Sequence, residues 1–156
     1  MLRALVCVAV LLSACAHAPA EEAQPPPSAP EAPRELSPLA QQVRDDLARL
    51  DAELRAPGVV STGFGGVADL GGGLTVRPIA IVEDSRCPHN TACLWAGRMR
   101  IRAAVSGRNA ELTLGEAVQT PNGTVVFAVV SPGAWAEWPS AELGPRPAHR
   151  FGFRRG

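Results

Sequence analysis

Residues 98–105 read Arg98-Met99-Arg100-Ile101-Arg102-Ala103-Ala104-Val105, a stretch in which charged and apolar side chains alternate. Because successive side chains of a β-strand point to opposite faces, this alternation predicts a strand with an apolar inner face and an arginine-rich outer face. A sheet that covers a core on one side only is typical of antiparallel structures. The stretch therefore predicts a β-rich fold.

Further short strands are predicted on both sides of this stretch. Apolar alternation or short continuous apolar runs mark residues 64–70, 74–82, 110–114, 125–130 and 151–153. Pro78 indicates an edge position or a bulge in its strand, and Pro121-Asn122-Gly123 is a strong turn signal. Six to seven short strands at this spacing predict a small antiparallel β-sandwich or barrel over residues 59–156.

One amphipathic helix is predicted before the β-domain, over residues 36–56. Ser37 suits the N-cap, Pro38 suits the first helical position, and Pro57-Gly58 ends the pattern. Its apolar stripe consists of Leu36, Leu39, Val43, Leu47, Leu50 and Leu54. A helix of this length is marginal alone in water, so we expect it to dock on the domain's own sheet or on a partner surface rather than to self-associate.

The N-terminus carries a targeting signal. Arg3 precedes an apolar run that is shorter than the ~20 residues a spanning helix needs, and Leu12-Ser13-Ala14-Cys15 follows it. This tetrapeptide resembles a bacterial lipobox. The resemblance implies that residues 1–14 are a signal peptide, that Cys15 is acylated, and that Ala16 directs the protein to the outer membrane, facing the periplasm. The alternative is an ordinary secretory signal cleaved after Ala18 or Ala20.

Residues 15–35 are predicted to form a tether behind the lipidated cysteine. The stretch is rich in proline and alanine and has no large aliphatic residue, so it cannot bury a core. In a polyproline conformation the twenty residues 16–35, which follow the lipidated cysteine, span up to ~60 Å. The predicted partner of this part of the chain is the membrane, through the N-terminal lipid.

The overall composition excludes several classes of function. The 15 basic residues are all arginine and balance 15 acidic residues, which gives no footprint for a nucleic acid. No acid, base and nucleophile assemble in the sequence, and no phosphate-binding loop is recognisable. The sequence therefore predicts a protein that is not an enzyme and needs no cofactor, and it leaves the oligomeric state open.

The densest chemistry lies in residues 83–97, which include Asp84-Ser85-Arg86-Cys87-Pro88 and Cys93-Leu94-Trp95-Ala96-Gly97. This arrangement resembles a D-S-R-C-P…C-x-W-A-G motif of a group of uncharacterised bacterial lipoprotein and secreted β-domains. The resemblance spans roughly residues 64–153 and implies no particular activity. One departure from the group is that phenylalanine, Phe151 or Phe153, replaces the tyrosine expected in the closing strand.

Cys87 and Cys93 have three possible roles. They are close enough for a disulfide across a tight loop, and cleavage of the signal with acylation of Cys15 would leave them as the two free thiols. Trp95 would then pack on the bridge as a core aromatic. With His89 they could instead ligate zinc or Cu(I), although a fourth ligand is missing. A redox dithiol fits less well, because the five intervening residues depart from the two-residue spacing of thioredoxin-like motifs.

Two groups of side chains are candidate recognition surfaces. A rigid disulfide loop would present Asp84, Arg86, His89 and Asn90 at low entropic cost. Trp135 and Trp138 form either a stacking platform or a cover over the open end of the sandwich. The sequence thus predicts a non-enzymatic envelope lipoprotein that binds an envelope protein or polymer. The alternative is a periplasmic protein that handles a metal or small ligand through Cys87, His89 and Cys93.

Overall fold

A computed structural model describes residues 35–156. The predicted signal peptide, the predicted acylation site Cys15 and the predicted tether up to residue 34 lie outside this part of the chain. The described residues form two four-stranded antiparallel sheets and a single long helix, so the predicted β-sandwich is confirmed and a closed barrel is not formed.

The elements follow one another along the chain as α1 (Pro38–Leu54), β1 (Val60–Thr62), β2 (Ala68–Asp69), β3 (Thr75–Asp84), β4 (Met99–Val105), β5 (Arg108–Thr113), β6 (Ala117–Thr120), β7 (Gly123–Ser131), α2 (Ser140–Leu143) and β8 (Arg150–Arg155). One sheet has the order β1-β8-β7-β6, and the other has the order β2-β3-β4-β5. The closing strand β8 is therefore an interior strand of its sheet.

The main core lies between the two sheets. Phe127, Phe151 and Phe153 from one sheet are fully buried against Ile101 and Leu112 from the other. The rings of Phe151 and Phe153 pack against that of Phe127, edge-on at a centroid distance of 6.0 Å and tilted at 5.5 Å. The alternation predicted for residues 98–105 is confirmed, because the apolar side chains of β4 face this core while its arginines face outward.

The region before β3 differs from the prediction of one strand over residues 64–70. Two short strands form instead, and they belong to different sheets, so this segment is where the chain crosses the sandwich. Phe64 and Val67 lie exposed in the crossing segment. The expectation for Pro78 is confirmed. The register between β3 and β4 shifts at a bulge after Pro78, and β2 is too short to pair with β3 at Pro78, so this residue also lies at an edge.

Helix α1 docks on the outer face of the first sheet. Leu50 and Leu54 pack on Val129 of β7 and on Val59, and Ser37 caps the helix by accepting a hydrogen bond from the Ala40 amide at 3.2 Å. Strand β7 faces the core on one side and α1 on the other. This burial on both faces explains why the apolar run of β7 is nearly continuous. The helix therefore finds its partner within the domain.

A glycine of β8 makes this docking possible. A Cβ at Gly152 would meet the side chains of Leu54, Val59 and Val129, which come from the helix, the segment after it and β7. Arg150 at the start of the same strand donates to Asp51 of α1 at 2.9 Å. In residues 35–156 no helix is long and apolar enough to cross a lipid bilayer.

The sandwich has two different ends. At one, which we call the turn end, tight turns meet: Ser106 and Asn122 both donate to the Gly73 carbonyl, at 3.0 and 2.7 Å. At the other, which we call the loop end, residues 85–98 connect β3 to β4 and residues 132–149 connect β7 to β8. The chemistry that the sequence singled out lies at the loop end.

Candidate functional site

Residues 85–98, the disulfide loop, are fastened at their base. The predicted disulfide between Cys87 and Cys93 is present, with a Cα–Cα distance of 5.9 Å. The backbone continues the hairpin beyond the strands, because the Cys87 amide donates to the Ala96 carbonyl at 2.9 Å. Gly97 has a positive φ, and a Cβ there would overlap the Ser85 carbonyl, so the backbones of the two sides of the loop approach closely at this glycine.

The prediction that Trp95 packs on the bridge as a core aromatic is wrong. Its side chain is 71% exposed, and the neighbouring Leu94 is 96% exposed. Both residues lie in a bend of the loop, beyond the ends of β3 and β4, so neither side chain reaches the core between the sheets. The disulfide loop therefore presents two large apolar side chains to solvent.

Residues 132–149, the tryptophan loop, are fastened to helix α1 through Asp46. The Trp135 indole N–H donates to Oδ2 of Asp46 at 3.0 Å, and Arg49 donates to Oδ1 at 2.6 Å. The Asp46 side chain is only 8% exposed, so both of its oxygens need these partners. Its hydrogen bond to Asp46 also raises the pKa of Arg49 above its usual value. Asp46 thus joins the helix to the tryptophan loop.

His89 of the disulfide loop lies against the same junction. Its ring centroid is 5.1 Å from that of Trp135, and its Nε2 is 3.8 Å from Oδ2 of Asp46. The His89 amide donates to the Ala134 carbonyl at 2.9 Å. Space for this approach depends on Gly133, where a Cβ would overlap Asp46 Oδ2 and come within 2.9 Å of His89 Nε2.

The other nominated residues of the two loops also meet. Asn90 Oδ1 accepts a hydrogen bond from the Ala136 amide at 3.1 Å. Trp138 is half-buried and donates to the Gly144 carbonyl at 2.8 Å, while the Arg146 guanidinium lies 5.2 Å from the centre of its ring. Trp135, at 7% exposure, serves as packing in the end of the sandwich, so a stacking platform made of both tryptophans is not available.

Asp84 and Arg86 pair with each other at the base of the disulfide loop. The pair is bidentate, with N–O distances of 2.7 and 2.8 Å. These hydrogen bonds hold the pKa of Asp84 below its usual value, against the opposing effect of its partial burial. His149 of the tryptophan loop lies near the pair and stacks on Phe151; burial, reinforced by the charge of Arg86, lowers its pKa.

A cleft of about 320 Å³ lies between helix α1, the end of β7 and the two loops. Apolar side chains line it together with a few polar ones; the lining residues are Arg49, Leu50, Glu53, Arg86, Cys87, His89, Ala96, Leu114, Ala128, Val129, Val130, Gly133 and Ala134. Its charged side chains are engaged in ion pairs: Arg49 with Asp46 and Glu53, and Arg86 with Asp84. The cleft therefore combines an apolar lining with side chains that are already held in place.

A second cleft, of about 350 Å³, lies at the turn end between β5 and β6. Arg108 is the one charged residue that lines it, beside small, apolar and amide side chains. It gathers none of the residues that the sequence nominated. The cleft at the loop end is therefore the better candidate site.

The disulfide bears directly on the metal alternative. Cys87 and Cys93 are bonded to each other, so neither sulfur is a thiolate that could ligate zinc or Cu(I) beside His89. Across residues 35–156, no three histidine, cysteine, aspartate or glutamate side chains cluster closely enough to hold a metal ion.

The structure brings most of the nominated residues into one place. His89, Asn90, Trp135 and Trp138 lie where the two loops meet, and Asp84 and Arg86 lie at the base of one of them. The sequence reasoning missed Asp46 and Arg49, which reach the site from α1. Their positions on the polar face of a helix gave no signal of this role. Comparisons of the chain with protein-family models, curated proteins and solved structures found no match.

Proposed function

We propose that the chain is a lipoprotein of the bacterial cell envelope, anchored in the outer membrane through acylated Cys15 and facing the periplasm. The lipobox-like Leu12-Ser13-Ala14-Cys15 and the proline-rich spacer behind it support this proposal. The disulfide between Cys87 and Cys93 supports it independently, because such bonds persist in oxidising compartments such as the periplasm. The resemblance of residues 83–97 to the motif of bacterial lipoprotein and secreted β-domains points to the same location.

The β-sandwich serves, in this proposal, as a non-enzymatic binding domain, and its ligand is an envelope protein or polymer held in the cleft at the loop end. One observation carries this part: three segments of the chain are joined beside the cleft. Trp135 of the tryptophan loop donates to Asp46 of α1, and the His89 amide of the disulfide loop donates to the Ala134 carbonyl of the tryptophan loop. The charged side chains of the cleft are held in ion pairs, as expected of a preorganised recognition surface.

The lining of the cleft favours a peptide-like ligand. Leu50, Val129 and Val130 offer an apolar surface, while Arg49 and Glu53 offer one charge of each sign at the rim. A volume of about 320 Å³ is at the small end of ligand pockets and accommodates a few side chains or a short polymer segment. A segment that carries both apolar and charged groups complements this surface best.

The anchor is tested by metabolic labelling with palmitate and by fractionation of cells. Cys15→Ala is expected to abolish labelling and to release the chain from the membrane fraction. Cys7→Ala is the matched control, because it changes a cysteine of the same signal that lies upstream of the predicted cleavage site. Equal labelling of all three chains, or none in the wild type, contradicts the proposed anchor.

Binding is tested in living cells with a photoreactive residue placed at Glu53, on the rim of the cleft, and for comparison at Asn109, on the exposed turn end. In a parallel experiment, purified peptidoglycan sacculi are the probe for a polymer ligand. We expect the Glu53 position to yield a discrete crosslinked species, or the sacculi to retain the wild type more strongly than a His89→Trp variant that narrows the cleft. Identical products from both positions, together with no retention by sacculi, contradict the binding proposal.

A further inference from the structure

Leu94 and Trp95 are the most exposed large apolar side chains among residues 35–156, at 96% and 71%. They are adjacent in sequence and lie on the disulfide loop; we call the pair the apolar tip. Exposed apolar surface of this kind marks a docking surface for a protein or a membrane. The cleft uses neither side chain, so the function proposed above does not account for them.

The structure prevents the apolar tip from folding back onto the domain. Cys93, next to Leu94, is bonded to Cys87, and the Ala96 carbonyl next to Trp95 accepts the Cys87 amide at 2.9 Å. The backbone on both sides of the tip is therefore held in place. Because the side chains are already displayed, little conformational entropy is lost when they insert into a second phase.

The apolar tip and the start of the described domain lie at the same end of the sandwich. Ser37, at the N-cap of α1, donates through its hydroxyl to Glu142 of the tryptophan loop at 2.7 Å. The disulfide loop is hydrogen-bonded to this same loop. The His89 amide donates to the Ala134 carbonyl, and Asn90 accepts from the Ala136 amide. The chain that leads back toward Cys15 thus leaves the domain at the loop end, which is also where the tip projects.

We propose that the apolar tip inserts into the interfacial region of the lipid bilayer to which the chain is anchored. This inference rests on the lipid anchor at Cys15 proposed above. Twenty tether residues span at most ~60 Å, so they keep the loop end at a high effective concentration beside the lipid. An indole suits this position, because its ring is apolar and its N–H is satisfied by the polar headgroup region. The domain then lies on the membrane with its loop end toward the lipid.

The test uses the full acylated chain reconstituted in vesicles of phosphatidylethanolamine and phosphatidylglycerol that contain a phosphatidylcholine brominated on its acyl chain. Bromine quenches the fluorescence of tryptophan that enters the bilayer. We expect quenching of the wild type relative to vesicles without bromine, loss of most of that quenching in Trp95→Phe, and its retention in the matched control Trp138→Phe. Leu94→Asp, which leaves every tryptophan in place, is expected to reduce the quenching severalfold.

The outcomes separate this inference from the proposed function. A wild-type chain that floats with the vesicles but shows no quenching attributable to Trp95 overturns the insertion of the tip and leaves the anchor intact. A chain that does not float with the vesicles overturns the anchor, and with it the basis of the inference. If Trp95 is not quenched and a photoreactive residue at position 94 crosslinks to one protein in cells, the tip docks on a protein and the assignment to lipid is wrong.

Discussion

Two tryptophans at the same end of the sandwich face opposite ways. Trp135 is buried in the tryptophan loop and donates its indole N–H to Asp46, whereas Trp95 stands exposed on the disulfide loop. The two loops are bonded to each other through His89 and Asn90, so the difference does not come from distance. It comes from a bend beyond the strands in the disulfide loop and from a buried carboxylate partner, Asp46, in the tryptophan loop.

At this end of the fold, one tryptophan therefore contributes to stability and the other is available for recognition. A buried aromatic with a satisfied N–H contributes packing and a hydrogen bond to the folded state. An exposed aromatic contributes little to folding and is available to a binding partner. The following substitutions test this separation, from the largest expected effect to the smallest.

Trp135→Ala is expected to cost the most stability. It removes a buried aromatic side chain and leaves Asp46 without one of its donors, so the free energy of unfolding should fall by about 3–5 kcal/mol. Trp95→Ala is the matched control and should change it by less than about 0.5 kcal/mol, as for other exposed positions. Urea unfolding of residues 35–156, followed by circular dichroism, measures both. Equal losses in the two variants would show that the exposed tryptophan also holds the fold.

The double variant Cys87→Ser, Cys93→Ser removes the covalent base of the disulfide loop. A bridge across six positions restricts the unfolded chain only locally, so its loss should lower the free energy of unfolding by roughly 2 kcal/mol. The same urea measurement applies, with the oxidised wild type as the reference and the reduced wild type as the control. A variant as stable as the oxidised wild type would mean that the backbone pairing of the hairpin holds the loop without the bridge.

Asp46→Asn sharpens the role of the carboxylate that fixes Trp135. An amide keeps one acceptor oxygen but loses the charge-assisted hydrogen bond from Arg49, so a loss of about 1 kcal/mol is expected. Asp45→Asn changes the neighbouring exposed carboxylate, which is paired with Arg44, and should have almost no effect. If the two substitutions cost the same, Asp46 is an ordinary surface residue of the helix.

His149 gives the smallest effect, a dependence of stability on pH. Its pKa in the folded state lies below the usual value of 6.5, chiefly because of burial, so the unfolded chain binds the proton more readily. Stability contributed by neutral His149 is therefore complete above pH 6.5 and is lost as the pH falls from 6.5 through the lowered pKa. His149→Gln should flatten this part of the profile. An unchanged slope between wild type and variant would assign the pH dependence to other groups.

A further loss at lower pH is expected from Asp84. Because hydrogen bonds from Arg86 lower its pKa, its contribution is present above the ordinary aspartate pKa of 3.8 and disappears as the pH falls through the lowered value. Asp84→Asn removes this dependence. The loss of stability from His149 begins below pH 6.5 and that from Asp84 below pH 3.8. A single set of urea curves at several pH values therefore distinguishes the two losses.

The sequence predicted those parts of the fold where the pattern is regular. Alternation in residues 98–105 and around Phe151 and Phe153 placed two strands correctly, because apolar side chains recur there at every second position on the face toward the core. The crossing segment before β3 was predicted wrongly. Its apolar residues are spaced by glycines, and no local pattern tells where a chain changes from one sheet to the other.

The candidate site was only half predictable for a related reason. The disulfide is local, so the short spacing of its two cysteines revealed it. Asp46 meets Trp135 across 89 positions, and nothing in the helix distinguishes it from the solvated carboxylates beside it. The exposure of Trp95 depends on where the loop bends beyond the strands, and the spacing between the cysteines does not determine this.

Acrylamide quenching of tryptophan fluorescence tests most directly the claim that Trp95 faces outward and Trp135 inward. The measurement compares the folded wild type with Trp95→Phe and Trp135→Phe in the absence of lipid. We predict that the Trp95→Phe variant loses most of the quenching of the wild type, while Trp135→Phe retains it. Quenching that persists in Trp95→Phe and falls in Trp135→Phe would contradict the account.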